Sequence, residues 1–177
     1  MTQNHFELFS LPEKYLLDDD DLQARYRDLQ RVMHPDRFAN GSDQERRLSV
    51  QRAAQINEAF TTLKDPLKRG QYLLVLRGHA IENEQQTHQD PEFLIQQIEL
   101  REQLAEVRTQ DDPMQVLDKL SAKIRNQYHE LEAGLGQALD TNDDSEQAAI
   151  IAQRMQFFTR LNNEVNELEA DLEDEHY

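Results

Sequence analysis

The residues whose types and spacing best suit chemistry are His34, Pro35 and Asp36, consecutive in a chain of 177. They set an imidazole and a carboxylate on either side of a residue with fixed φ, so the tripeptide is preorganised for recognition. The plainer alternative is that Pro35 only ends a helix, Asp36 accepts local hydrogen bonds and His34 is an ordinary loop residue. Catalytic sets are harder to find. His5, His34, His79, His88, His129 and His176 are scattered without metal-ligand spacing. With 5 glycines there is little scope for a phosphate-cradling loop, and nothing pairs two carboxylates at a pocket. The chain has no cysteine, which excludes disulfides, thiolate nucleophiles and Cys-ligated zinc or clusters. The expectation is a protein that is not an enzyme and carries no cofactor and no metal.

The tripeptide needs elements to hold it. Asp18 to Asp21 supply a cap and first-turn acids for a helix beginning near Leu22, with Tyr26, Leu29 and Met33 on one face. Pro35 stops that helix near His34. Ser42 and Glu45 form a capping box, which starts a second helix running to about Lys64. Asp65-Pro66 interrupts it, and Pro66 opens a further helix ending at Gly78. The result is an antiparallel helical hairpin with the tripeptide in its connecting loop. Arg25, Arg31 and Arg37 lie on or beside the first of these helices, opposed mainly by Asp28, which makes the surface there locally basic.

Strand formers are sparse, while Leu, Gln, Glu and Ala recur at three- and four-residue intervals, so the fold class is all-α. Residues 1–78 carry 12 basic and 12 acidic side chains, and the whole formal charge of -16 falls on residues 79–177. That shift, with the polar stretch Glu82 to Gln89, divides the chain into a domain over 1–78, a linker over 79–90 and a domain over 91–177. The net charge argues against nucleic acid as a partner. No apolar run approaches the roughly 20 residues that span a bilayer, and Met1 to Phe9 lacks a basic or Arg-rich leader, so no membrane association and a soluble, cytoplasmic chain are expected.

The second domain reads as three capped helices: Phe93 to Val107, Met114 to about Leu135 after Asp112-Pro113, and a third after Asp143-Asp144-Ser145 reaching about Leu172. Short breaks between them imply an antiparallel three-helix bundle. Leu117, Leu120, Ile124, Tyr128, Leu131 and Leu135 stripe the second helix; Ile151, Phe158, Leu161, Val165, Leu168 and Leu172 stripe the third. The first carries two apolar sets. Phe93, Leu100, Leu104 and Val107 suit the core, whereas Leu94, Ile95 and Ile98 fall opposite, interleaved with Glu99, Glu102 and Glu106. Phe157 likewise lies off the stripe of its helix. Either these residues touch the first domain or broaden the core contact, or they form a protein-binding face with an apolar centre and an acidic rim, suited to a basic partner.

The tripeptide also has company. Tyr26-Arg27-Asp28-Leu29 precedes it, and Ile56-Asn57-Glu58-Ala59-Phe60, Leu63, Asp65-Pro66, Arg69 and Tyr72 follow. Together these residues, over about 4–76, resemble the J domain. The resemblance implies that His34, Pro35 and Asp36, with the basic residues Arg25, Arg27, Arg31 and Arg37, dock on a DnaK-class chaperone and promote ATP hydrolysis. Thr87-His88, Asp90, Phe93-Leu94 and Glu99-Leu100-Arg101-Glu102-x-Leu104 are similar to the C-terminal domain of HscB-type co-chaperones, as is Glu7-Leu8-Phe9-Ser10-Leu11-Pro12 near the start. That resemblance implies that the surplus face, Leu94, Ile95, Ile98, Glu99, Glu102, Glu106 and Phe157, binds an IscU-type iron-sulfur cluster scaffold protein, with HscA as the chaperone. Eukaryotic relatives often carry an N-terminal zinc-binding Cys extension, so the resemblance is to the bacterial form. A general J-domain protein with a different client is the competing reading.

Overall fold

Each long helix starts where a short polar side chain can hold its first amides. A computed structural model of the chain describes residues 3–79 and 90–175. The expected linker falls mostly within residues 80–89, with Thr87 and His88, outside the described residues; so does His176. Chain contacts divide the molecule into two units, Met1–Arg77 and Gly78–Tyr177. The described residues contain helices and turns and no strand.

In the first unit, Asp18 accepts from the amides of Asp20 and Asp21 at 3.0 Å and opens α2, Asp19–Met33. A 3-10 turn, Pro35–Phe38, follows. The Ser42 and Glu45 capping box opens α3, Asp43–Lys64, and Asp65 caps α4, Pro66–Leu76. Gly78 then takes φ 78°, the left-handed conformation that ends helices and that glycine adopts without strain. A helix not anticipated from sequence, α1, His5–Leu8, is closed by its own capping box between Asn4 and Glu7. Tyr26 stacks on Phe60 at 3.9 Å between centroids, and its hydroxyl donates to Asn57 Oδ1 at 3.0 Å. Gln30 also reaches Asn57. Pairing 26 with 60 and 30 with 57 sets α2 and α3 antiparallel. Phe6, Leu22, Ile56, Ala59, Leu63 and Leu73 fill the core between the helices. Each larger one contributes about 1.5–3 kcal/mol by leaving water.

One core member is charged. Arg69 is 5% exposed, donates from Nη1 to the Leu63 carbonyl at 2.7 Å and lies over the Tyr15 ring at 4.8 Å. It thereby ties off the Leu63 carbonyl near the C-terminal end of α3, where Pro66 leaves the chain without an amide donor.

In the second unit, Asp90, Asp112 and Asp144 each accept from the amide three residues on, at 3.0–3.1 Å. They open α5, Pro91–Glu106, α6, Pro113–Gly136, and α7, Ser145–Asp174. A 3-10 turn, Val107–Thr109, ends α5, and a π turn, Gln137–Thr141, ends α6. Contacts between α5 and α7 keep an almost constant offset of 63 or 64 residues. Asp90 meets Arg154, Phe93 meets Phe157, Arg101 meets Glu164 and Arg108 meets Asp171. The first and third helices therefore run parallel and α6 runs against both, an up-down-up bundle. Phe93, Leu100, Leu117, Ile124, Phe158 and Leu161 are among its buried residues. No helix of the described residues is long and apolar enough to cross a membrane.

Candidate functional site

His34 has ψ 129°, the extended backbone that a following proline requires, and it caps the turn beginning at Pro35. The Asp36 amide donates to His34 Nδ1 at 3.3 Å. A ring nitrogen that accepts an amide proton is the unprotonated one, which leaves Nε2 as the donor. The Asp36 carboxylate, at 3.6 Å from the same Nδ1, is too distant to displace that amide. Both side chains face water, 58% and 92% exposed. Arg37 Nη1 donates to the Arg31 carbonyl at 3.2 Å, fastening the turn to the end of α2. The loop thus offers one N–H donor and one carboxylate on a turn held by proline and arginine.

The four candidate arginines are not equivalent. Arg27 and Arg31 lie one turn apart on the outer side of α2, both exposed. Arg31 pairs with Asp28 at 3.0 Å in water, an attraction of little net worth, and Arg27 has no ion-pair partner among the described residues. Arg25 departs from the expectation. Its Nε bridges both oxygens of Asp21 at 3.0 Å, and its Nη1 donates to the carbonyls of Phe9 and Ser10, also at 3.0 Å. Ser10 sits at φ 53°, unfavourable for a residue with a Cβ, and this grip holds it there. Arg25 is a tether between the N-terminal segment and α2, with Nε and Nη1 already engaged.

On α5, Phe93, Leu100, Leu104 and Val107 are buried, while Leu94, Ile95 and Ile98 are 54%, 56% and 50% exposed. Glu99, Glu102 and Glu106 are exposed beside them, and Arg101 flanks the other edge, 3.7 Å from Glu164. Phe157 corrects the expectation that it belongs to this open face. It is 8% exposed and meets Phe93 edge-on at 5.7 Å and Phe158 at 5.2 Å. The reason is that α7 packs on α5 and α6 together. A helix with two neighbours buries a wider arc than one stripe, and Phe157 fills the side turned to α5. The Arg101 guanidinium, 5.7 Å from the Phe157 ring, covers it towards the surface.

Both ends of α5 are pinned. Asp90 accepts from the Phe93 amide and pairs with Arg154, whose guanidinium lies 5.2 Å from the Phe93 ring. The Phe93 amide, opposed by desolvation and aided by Arg154, draws the Asp90 carboxyl below its ordinary range. Arg108 bonds Asp171 at 2.9 Å at the other end. Among the described residues no group of three or more His, Asp or Glu is gathered as a metal would need. Gln30 and Asn57, absent from the sequence-based set, meet beside His34. Their proximity follows only from the register that Tyr26 and Phe60 impose.

Comparison with known proteins bears on the family and the fold. The DnaJ domain model matches residues 4–72, and the model of the HSCB C-terminal oligomerisation domain matches residues 89–166. The co-chaperone protein HscB homolog of Aeromonas hydrophila is 46% identical over 169 residues, 96% of this chain and 98% of its own. That of Vibrio atlanticus is 43% identical at the same coverage. Among solved structures, the chaperone HscB from Vibrio cholerae superposes with a TM-score of 0.88 at 40% identity, over 96% of this chain and 99% of its own. The human co-chaperone HscB gives 0.88 at 30% identity, over 95% of this chain and 83% of its own. The chain belongs to the HscB family of J-domain co-chaperones.

Proposed function

We propose that the chain, as a co-chaperone in iron-sulfur cluster biogenesis, stimulates the ATPase of a DnaK-class chaperone of the HscA type and delivers an IscU-type scaffold protein to it, without catalysing chemistry itself. In this reading residues 1–78 act on the chaperone, 79–90 link, and 91–177 hold the scaffold. His34, Pro35 and Asp36 make the contact that promotes hydrolysis; Arg27, Arg31 and Arg37 supply the positive field, and Arg25 holds the helix that carries them. Leu94, Ile95 and Ile98 are the apolar centre for the scaffold, Glu99, Glu102 and Glu106 its acidic rim, and Phe157 supports the face from beneath. A basic partner is steered to such a rim and anchored at its centre.

The observation that carries this reading is the His34 loop, whose imidazole and carboxylate are exposed while its backbone is fixed from both sides. An exposed loop residue contributes within about 0.5 kcal/mol to folding. His34→Gln should therefore abolish stimulation of the chaperone ATPase and leave the melting temperature unchanged. The test is steady-state ATP hydrolysis by the chaperone with this protein and the scaffold added separately and together. Normal stimulation by the variant would overturn the assignment.

A further inference from the structure

Beside His34 a cleft of about 230 Å³ opens between α2 and α3, lined by Gln30, Met33, His34, Ala53, Ile56 and Asn57. Small-molecule sites run from about 300 Å³ upwards, so this space suits a single side chain. Buried Ile56 and half-buried Met33 and Ala53 make it apolar. On the α3 side its lining includes Ala53, whose side chain is a single methyl.

The rim has a particular polarity. Gln30 Nε2 donates to the Tyr26 hydroxyl at 2.6 Å and to Asn57 Oδ1 at 3.3 Å, and the Tyr26 hydroxyl donates to Asn57 Oδ1 at 3.0 Å. This chain of donors fixes which end of each amide faces inward. It leaves Asn57 Nδ2, a donor, and Gln30 Oε1, an acceptor, without partners among the described residues. One donor and one acceptor at the mouth of an apolar cleft are the complement of one peptide group with its side chain. We infer that this cleft seats one aliphatic side chain of the ATP-hydrolysing chaperone, while Asn57 Nδ2 and Gln30 Oε1 bond the adjoining backbone of that extended segment. The inference rests on the docking of the His34 loop proposed above, since His34 is both a wall of the cleft and part of that loop. Main-chain bonds would give affinity and the cleft would set side-chain size, the division of labour usual in recognition of extended peptides.

Two substitutions in the full-length protein test this by binding to the ATP-bound chaperone and by ATPase stimulation. Ala53→Leu fills the cleft at little cost in helix propensity. Asn57→Asp keeps the Oδ1 that Tyr26 and Gln30 use and replaces the free donor with an acceptor. Each should raise Kd at least tenfold, about 1.4 kcal/mol, with an unchanged melting temperature. The double variant should lose less than the product of the two, because the segment is displaced once. If both bind as wild type while His34→Gln fails to stimulate, the loop docks and the cleft is empty, which overturns the inference alone. If His34→Gln stimulates normally, the docking reading falls and takes the cleft with it. Should Ala53→Leu melt early, Asn57→Asp decides by itself: wild-type affinity in that variant overturns the inference.

Discussion

Truncating Phe157 and truncating Leu94 with Ile98 should have opposite consequences, and burial sets the magnitudes. Phe157 is nearly inaccessible and packed on Phe93 and Phe158. Phe→Ala at such a site costs about 3–5 kcal/mol, of which each aromatic contact accounts for about 0.5–1.5. For a unit of this size 1 kcal/mol moves the midpoint by about 4–8 °C, so Phe157→Ala should lower the melting temperature of the second unit by at least about 12 °C. Leu94 and Ile98 are half in water already, so their truncation leaves no cavity and costs at most about 0.5 kcal/mol each, which keeps the double variant within about 8 °C of wild type. If they anchor the scaffold, each loses about 2 kcal/mol of binding, roughly thirtyfold in Kd. Scanning calorimetry of the full chain, paired with titration of purified scaffold, separates the effects. Phe157→Ala that melts within a few degrees of wild type refutes the placement of that ring in the core. A Leu94→Ala, Ile98→Ala double variant with unchanged affinity refutes the face, and one that melts early shows those side chains to be structural.

Individual side chains in the first unit set further outcomes. Arg27→Glu and Arg31→Glu should slow association with the chaperone and flatten its salt dependence, because exposed charges act over about 8–10 Å near physiological ionic strength; stopped-flow rates at two salt concentrations check this, and unaltered rates contradict it. Arg25→Glu should instead lower the melting temperature, since it releases the carbonyls of Phe9 and Ser10. Arg69→Ala should destabilise the first unit by about 3 kcal/mol, measurable by urea unfolding, because it strips the Leu63 carbonyl of its charged donor and the Tyr15 ring of its cation. The His5 imidazole, stacked on Tyr72 at 4.2 Å, is held below its ordinary pKa by burial, with Glu58 opposing. The unfolded chain therefore takes up a proton first as pH falls. The stability that His5 contributes is complete above about pH 7 and declines as pH drops through about 6.5 towards the folded value. His5→Phe should remove this slope in melting temperature against pH, and a slope that persists in the variant assigns it elsewhere.

Helix starts were legible because their chemistry is local. Asp18, the Ser42 and Glu45 box, and Asp65, Asp90, Asp112 and Asp144 each bond amides within three residues of themselves, so the signal and its effect lie in the same turn. The open side of α5 was legible for a related reason. With one turn every 3.6 residues, placing Phe93, Leu100, Leu104 and Val107 inward obliges Leu94 and Ile98 to face away. Apart from the four-residue α1, too short for a helical period to show, what escaped depended on neighbours distant in sequence. Arg25 reads as one more cation on a basic helix until Phe9 and Ser10, 16 and 15 residues earlier, bring their carbonyls to it. Phe157 reads as surplus until α7 proves to have two partners.

That asymmetry bears on how each face can change. Leu94, Ile95 and Ile98 are exposed through the period of their own helix, so a substitution there alters what the face presents and leaves the bundle intact. Phe157 holds the face through its buried contact with Phe93 between α5 and α7, so its loss loosens α5 from its support, whereas the half-exposed Arg101 and Glu164 pair adds little. If that face holds the scaffold, its specificity can therefore vary along the outer side of α5 without loss of the fold. The Phe93 and Phe157 pair underneath can vary only if both rings change together, because a gap left by either is not refilled by the other.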